Sequence, residues 1–285
     1  MSEDIFAAAL IEIERWSRGC APALMLVCAQ RDLRSVVTVF ALTMAGTGGI
    51  FFLSCGRVDV EPAKNKQVAK AARCIKLLAA KYGKKEWPLS RSVVEHLLYY
   101  HLHLTVGAMA TKRLIKRLRQ EYVDYNEVRV APRSELGDVC ESAKAPRQSA
   151  AVIKTVLRSI FKAENTLDLD DVFAPLTAKE IAERMSKWEG IEEGAAEFVA
   201  VILGKLNAVV LNRQTRQVLS RYGVDLSGLT GEDLADLERR RVKVDPLRAY
   251  LLLVEHARRF CKDEPRCKHC FLSYECREGR RRKRR

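Results

Sequence analysis

The sequence predicts a mostly helical protein with a small N-terminal α+β extension. From Lys64 onward apolar residues recur at helical spacing, whereas two runs rich in β-branched and aromatic residues flank a glycine-rich segment at 46–49. Four of the nine cysteines fall within sixteen residues near the C-terminus. With 285 residues, 48% of them hydrophobic, the chain can bury a sizeable core. This composition excludes the disordered and collagen-like classes.

The first 62 residues form the predicted extension. Residues 5–16 alternate as an amphipathic helix does, and the acidic start at Glu3 and Asp4 is not typical of a secretory signal. Residues 35–56 carry no charge over 22 positions, a length that can span a bilayer as a helix. Because Gly46, Gly48 and Gly49 interrupt this apolar run, we predict a β-hairpin and no membrane span. Pro62 closes the extension, and residues 63–285 form the second predicted domain.

Helical periods and their start and stop signals predict the elements of the second domain. A stripe from Val68 to Ala79 ends at Gly83, and Ser90 or Ser92 caps the next helix. The further predicted helices are Ala108–Tyr122, Ala145–Phe161, Ala178–Lys187, Glu193–Leu203, Arg213–Tyr222, Gly231–Arg240 and Pro246–Phe260. Residues 167–175 are predicted to be a loop.

The charge of the chain points to a polyanionic partner. Fifty Lys and Arg against 36 Asp and Glu give a formal net charge of +14, and residues 261–285 alone contribute +6. Such an excess favours nucleic acid as the partner. A solvated tail or a nuclear-import signal has the same composition as the final run from Arg280 to Arg285.

The cysteine spacing is the strongest chemical signal. Cys261, Cys267, Cys270 and Cys276 are separated by five, two and five residues, and four thiolates can hold either tetrahedral zinc or a four-iron cluster. A single Cys-x2-Cys pair with a five-residue spacer on each side favours the larger of these two centres, the four-iron cluster. Clustering of this kind indicates metal binding. Since no secretory signal is predicted, we expect a reducing compartment, where disulfides are rare. The other five cysteines are interpreted as small buried hydrophobes.

The segment from Arg248 through His256 and Phe260 into the four cysteines resembles the C-terminal cluster loop of endonuclease III-type DNA glycosylases. The first spacer has five residues, where that family usually has six. The resemblance covers about residues 64–285 and implies an endonuclease III-like two-lobed helical fold. It also implies a [4Fe–4S] cluster held in the loop 261–276, with Lys268 in a basic loop that contacts DNA phosphate. From the charge of the tail, we expect Arg280, Arg281 and Arg282 to contact phosphate as well.

Residues 188–196 resemble the helix-hairpin-helix motif of the same family, with matches at Gly190 and Ala196. Glu192 stands at the second glycine of the motif, and Glu192 and Glu193 together repel phosphate, so we expect a weakened or repurposed hairpin. The lyase lysine of the family falls on Gly194.

Residues 210–219 continue the resemblance, with Asn212 at the catalytic aspartate. An amide neither stabilises an oxocarbenium-like centre by charge nor accepts a proton from water. Glu197 and Asp225 are the candidates for a displaced acid. The intercalating glutamine of the family falls near Thr105.

The sequence therefore predicts an iron–sulfur protein that binds damaged or mismatched duplex DNA, with Gly190, Arg213 and Arg216 among its contacts, and that lacks standard glycosylase and AP-lyase chemistry. One alternative is an active monofunctional glycosylase with a displaced acid. Another is a scaffold that no longer binds DNA and contacts a protein through residues 1–62 or through Glu192 and Glu193. The expected location is the cytoplasm, at the nucleoid, or the nucleus in a eukaryote.

Overall fold

The computed structural model describes residues 28–31, 36–44, 50–53, 57–83, 92–235, 242 and 244–284, with side chains from Lys64 onward. The chain divides into two compact units, residues 1–65 and 66–285. The helix predicted over residues 5–16 lies outside the described residues.

The first unit contains a four-stranded antiparallel sheet. Its strands are β1 (Cys28–Arg31), β2 (Val36–Met44), β3 (Ile50–Leu53) and β4 (Arg57–Asp59). The long strand β2 pairs with each of the other three, and Ala41 lies opposite Leu53 in its pairing with β3. Strands β2 and β3, which precede and follow the glycine-rich segment, pair antiparallel, as the two strands of a hairpin do. Among the described residues, no helix combines the length and the apolar character needed to cross a bilayer.

The rest of the described chain is helical. Helix α1 (Val60–Tyr82) begins at the end of the first unit and continues into the second. The next helices are α2 (Val93–Thr105), α3 (Ala108–Glu121), α4 (Tyr125–Val130), α5 (Arg133–Ser142), α6 (Ser149–Glu164) and α7 (Asp170–Phe173). They are followed by α8 (Ala178–Met185), α9 (Ala195–Ile202), α10 (Arg213–Tyr222), α11 (Gly231–Ala235), α12 (Pro246–Arg259), a short 3-10 helix (Cys267–His269) and α13 (Arg277–Lys283).

Strong caps explain where the best-predicted helices begin. Helix α10 has the predicted bounds, because the Asn212 side chain accepts a hydrogen bond from Thr215 N and Gly223 ends the helix at φ +112°. Helix α12 begins at the predicted Pro246, since Asp245 caps it.

The structure corrects the prediction of a loop over residues 167–175. Helix α7 forms inside this segment, since Phe173 is fully buried and Asp170 Oδ1 accepts a hydrogen bond from Val93 N at 2.7 Å. Helices α4 and α5 were not predicted, because they are short and lack a long apolar period. The second half of the helix predicted over Gly231–Arg240 lies outside the described residues.

The second unit has two hydrophobic clusters that meet at α12. One cluster is formed largely by α2 to α9 and includes Tyr250 and Val254 of α12. The other combines α1, α10 and the cysteine-containing segment with Leu252 and Leu253 of α12. Helix α12 is apolar around much of its circumference because it faces a core on both sides. The second unit is therefore two-lobed.

We expect Gly107→Ala to be more destabilising than Gly204→Ala. Both glycines have positive φ, +90° and +69°, so alanine is strained at either position, by roughly 1–2 kcal/mol. A Cβ at Gly107 would also lie 2.1 Å from Nη1 of Arg258, whereas nothing lies within 4 Å of a Cβ at Gly204. The Arg258 guanidinium group is the end of a flexible side chain and can move away, so the larger loss at Gly107 comes from its backbone. Its φ of +90° and ψ of 164° lie in a region that is essentially restricted to glycine. Denaturant unfolding of the two variants measures the difference, and equal losses would contradict this added backbone cost at Gly107.

Candidate functional site

The hairpin that resembles the helix-hairpin-helix motif lies between α8 and α9. Thr177 and Glu180 form a capping box at the start of α8. Gly190 and Gly194 have φ of +74° and +84°, which glycine adopts without strain. Helix α9 begins directly after Gly194. The segment 186–194 is thus a tight connection between two short helices.

Helix α2 binds the backbone of this hairpin from inside the protein. The Tyr100 hydroxyl donates to the Glu193 carbonyl oxygen at 2.5 Å, and the Glu192 N–H donates to Nε2 of His101 at 3.4 Å. Burial lowers the pKa of His101 to about 4, so its imidazole is neutral at pH 7 and can accept this bond. One hairpin N–H therefore points to a buried histidine.

The two positions matched to the family's catalytic residues are neighbours in space. A Cβ at Gly194 would lie 3.2 Å from Cβ of Asn212 and 3.0 Å from the Tyr100 hydroxyl. Asn212 is only 1% exposed, and its Nδ2 donates to the Tyr100 hydroxyl at 3.3 Å. The Tyr100 ring packs against Phe198 and stacks on Tyr250, with ring centroids 4.9 and 5.9 Å away. Tyr100 thus occupies the space beside Gly194 into which a longer side chain would extend.

The two candidates for a displaced acid lie in different places. Oε2 of Glu197 accepts a hydrogen bond from Leu211 N at 3.0 Å, and burial raises the pKa of this carboxyl group. Asp225 is exposed beyond the C-terminal end of α10, where a hydrogen bond from Ser227 N lowers its pKa. A helix of ten residues is about 15 Å long, so Asp225 is remote from Asn212 at the other end. Only Glu197 lies next to the Asn212 position.

The four cysteines of the C-terminal segment line one cavity, here called the thiol cavity. Arg221, His256 and Phe260 also line it, together with Pro265, Ser273, Glu278 and Gly279. All four cysteines are free thiols of intermediate exposure. Burial raises the pKa of Cys270 to about 11 and also that of Cys261, so metal binding here would displace protons.

Backbone geometry holds the cysteine segment in place. Cys261 N donates to His256 O at the end of α12, and Cys276 N donates to Leu272 O at the start of α13. A Cβ at Gly279 would lie 2.6 Å from the backbone of Ser273, so glycine is needed for α13 to pack this closely. Gln217 and Arg221 of α10 donate to the carbonyl oxygens of Cys261 and Lys262.

The donor set fits a thiolate-bound metal centre. All four cysteines line one cavity, and four cysteine thiolates are the ligand set of a [4Fe–4S] cluster and also of a structural zinc site. Within the described part of the chain, no three His, Cys, Asp or Glu side chains are grouped closely enough to hold a single ion as they stand.

A basic groove shares Cys267 with the thiol cavity. It is lined by Pro265, Arg266, Cys267, Lys268, His269, Arg281 and Arg282. Three of the residues predicted to contact DNA, Lys268, Arg281 and Arg282, therefore come together on one surface. Arg281 and Arg282 both bond to Glu278, and these bonds lower the pKa of Glu278 to about 2. Arg280 is exposed on the same helix.

The other predicted DNA contacts lie apart from the basic groove. Arg213, at the start of α10, pairs with Asp263 at 2.9 Å and lines a separate depression with Arg258 and Lys262. Thr105 lines the same depression. Arg216 donates to Leu211 O at 2.9 Å and lies 3.8 Å from the Glu193 carboxylate. Gly190 is exposed in the hairpin, near Thr155.

Sequence reasoning missed Tyr100, His101 and Arg221 as parts of these sites. Tyr100 contacts positions 93 and 112 residues away along the chain, and Arg221 contacts the cysteine segment about 40 residues away. A tyrosine–histidine pair within a strongly apolar helix was the available signal for the first two. Arg221 sits in a helix rich in basic residues, where nothing local sets it apart.

The comparisons with known proteins give distant likenesses. A structure of a non-covalent endonuclease III–DNA complex is 19% identical, with a TM-score of 0.48, and covers 76% of this chain and 99% of that one. A thermostable thymine-DNA glycosylase is 16% identical over 77% of this chain and 99% of its own, with a TM-score of 0.47. An 8-oxoguanine glycosylase/lyase of Clostridium acetobutylicum, in complex with DNA, is 14% identical over 82% and 88%, with a TM-score of 0.40.

These are likenesses of fold, and they assign neither a family nor an activity. No protein-family model and no curated protein matches the chain.

Proposed function

We propose that this chain is an iron–sulfur DNA-binding protein, similar to the endonuclease III-like superfamily, that lacks standard glycosylase and AP-lyase chemistry. The observation that carries the proposal is the position of Cys267, which lines both the thiol cavity and the basic groove. A centre bound by the four cysteines fixes the loop that carries Arg266 and Lys268. The cluster supplies this cross-link and a one-electron redox couple.

Phosphate binding by the basic groove follows from its charge. Arg266, Lys268, Arg281 and Arg282 are exposed, and the carboxylate of Glu278 offsets part of the charge of the last two. Arginine and lysine side chains supply most of the sequence-independent affinity of proteins for DNA. Damaged or mismatched duplex DNA is the proposed partner, on the strength of the resemblance in residues 188–219 and 248–276.

The absence of standard chemistry is inferred from the surroundings of Gly194 and Asn212. Schiff-base formation needs an amine, which glycine lacks, and the Asn212 amide is buried as the cap of α10. Tyr100 lies where a side chain at 194 would extend. The single substitution Asn212→Asp is therefore not expected to open a working pocket.

The first prediction concerns the metal centre. Protein purified without oxygen is expected to be brown and to contain iron and inorganic sulfide in equal amounts. Cys267→Ser should lose most of both, because one of four ligands is removed. Cys140→Ser is the matched control, since Cys140 is buried in the other lobe and should leave the iron content unchanged. Colourless wild-type protein with bound zinc would refute the iron–sulfur part of the proposal.

The second prediction concerns DNA binding. Fluorescence anisotropy with a duplex at several salt concentrations should give an affinity that falls linearly on a log–log plot. Lys268→Gln should weaken binding and reduce the slope by ~0.9 if one phosphate contact is lost. Lys179→Gln on α8 is the matched control, because it removes the same charge from a side chain that is 86% exposed. It should change neither the affinity nor the slope of the salt dependence. Affinity independent of salt would favour the protein-interaction scaffold.

The third prediction concerns strand scission on lesion-bearing, mismatched and abasic duplexes, with and without alkali. Wild type, Asn212→Asp and Glu197→Gln are all expected to bind without producing cuts. Alkali-dependent cutting by wild type that Glu197→Gln abolishes would establish the displaced-acid alternative. Cutting only by Asn212→Asp would show that the pocket opens and that aspartate alone was missing. Binding measured on the same duplexes separates absence of chemistry from absence of binding.

A further inference from the structure

Two side chains contact cysteine sulfurs at the wall of the thiol cavity. Nε2 of His256 lies 3.6 Å from Sγ of Cys270, and Nη1 of Arg221 lies 3.6 Å from Sγ of Cys261. His256 is 3% exposed on α12, and Arg221 is half-buried on α10. Because α10 and α12 pack against each other, both nitrogen atoms come from the rigid part of this lobe.

A third residue lies behind His256. The Tyr82 hydroxyl is 3.0 Å from Nδ1 of His256, and the Tyr82 ring packs edge-on against Phe271, which follows Cys270. The neutral imidazole has one donor and one acceptor nitrogen. A thiolate at Cys270 therefore fixes the direction of both hydrogen bonds in the row Tyr82–His256–Cys270.

A free thiol permits either direction, whereas a metal-bound thiolate permits only one. A thiol can donate to Nε2, which leaves the proton on Nδ1 and makes Tyr82 the acceptor. A thiolate can only accept, so Nε2 must carry the proton and Nδ1 must accept from the Tyr82 hydroxyl. The Tyr82 hydroxyl can donate or accept. When it donates to Nδ1, it supports the His256 tautomer whose Nε2–H donates to a ligated Cys270.

Arg221 is held in a position to donate to Cys261. Its guanidinium group also donates to the carbonyl oxygens of Cys261 at 3.1 Å, of Asp263 at 3.0 Å, and of Lys262. A guanidinium nitrogen can only donate, so its contact with Cys261 Sγ strengthens when the thiol becomes a thiolate. Cys276 differs, because its sulfur lies 3.1 Å from the carbonyl oxygen of Arg221, which is an acceptor.

We propose that His256, supported by Tyr82, and Arg221 set the reduction potential of the bound cluster through N–H···S bonds to Cys270 and Cys261. The inference rests on the proposed iron–sulfur centre. An added electron increases the negative charge on the cluster and its thiolates, and N–H donors stabilise that charge. They therefore raise the potential, as hydrogen bonds to cluster sulfurs do in general. These are positioning residues, because none of them is a ligand.

The test is a redox titration of the purified, cluster-containing protein, followed by the visible absorption and by the electron paramagnetic resonance of the reduced state. His256→Leu removes the donor. It is expected to lower the ratio of reduced to oxidised cluster about tenfold at fixed potential, a shift of ~59 mV to more negative values. His256→Gln retains an N–H and should restore most of the wild-type potential. Tyr82→Phe should shift it in the same direction as His256→Leu, by less.

Arg221→Met is expected to shift the potential to more negative values as well. Its matched control is Arg277→Met, because the Arg277 guanidinium also donates to an α10 carbonyl, that of Ser220 at 3.2 Å, and follows a cysteine ligand directly. Arg277→Met should cause a much smaller shift, since it removes charge without removing the bond to Cys261. If Arg221→Met fails to assemble a cluster, the His256 and Tyr82 variants still decide the proposal.

The outcomes separate this inference from the proposed function. Cluster-containing His256→Leu with the wild-type potential would refute the role of His256. An equal shift in Arg221→Met and Arg277→Met would show that general charge, and no N–H···S bond, is responsible. A wild-type protein without iron and sulfide would overturn the iron–sulfur centre itself, and with it this inference. Iron and sulfide are therefore measured on every variant before its titration.

Discussion

The buried cap at Asn212 is the interaction on which both candidate sites depend. Its Oδ1 accepts from Thr215 N and fixes the start of α10, while its Nδ2 donates to the Tyr100 hydroxyl on α2. Helix α10 leads from this cap to Gln217 and Arg221, which bond the carbonyl oxygens at the start of the cysteine segment. One helix thus positions the surroundings of Gly194 at one end and the thiol cavity at the other. Asn212 is therefore a structural junction between α2 and α10.

Local signals in the sequence were sufficient for the elements whose ends are chemically marked. Asn212 and Gly223 bracket α10, and the spacing of the four cysteines predicts a shared ligand site, whose residues line one cavity in the structure. The short helices α4, α5 and α7 were not predicted, because buried side chains such as Phe173 stabilise them through contacts distant in the chain. Tyr100 and the Tyr82–His256 pair were missed for the same reason. Their roles arise from packing between helices, which one sequence does not encode locally.

The inward contacts of the hairpin bear on how it could meet DNA. A hairpin that binds phosphate directs backbone N–H groups outward to the anion. Here the Glu192 N–H is directed to His101, the Glu193 carbonyl to Tyr100, and the carboxylates of Glu192 and Glu193 are exposed. The two carboxylates repel a phosphate at this position, and the inward Glu192 N–H is not available to bind one. Gly194 has no side chain, and the Tyr100 hydroxyl reaches the hairpin through the space beside it.

Under the proposed function, the cysteine segment and α13 supply the cations for DNA binding, because the hairpin disfavours a phosphate. Arg266 and Lys268 lie on a loop with few apolar residues of its own, so a centre bound by the four thiols would help to order it. A metal-bound loop would hold Arg266 and Lys268 at a fixed distance from Arg281 and Arg282 across the groove, and fixed cations lose less entropy when they meet a phosphate. The hydrogen bonds from Arg221 connect this loop to the helix that Asn212 caps. A centre held by the cysteines would thus support the proposed binding surface, and Asn212 caps the helix that bonds to this loop.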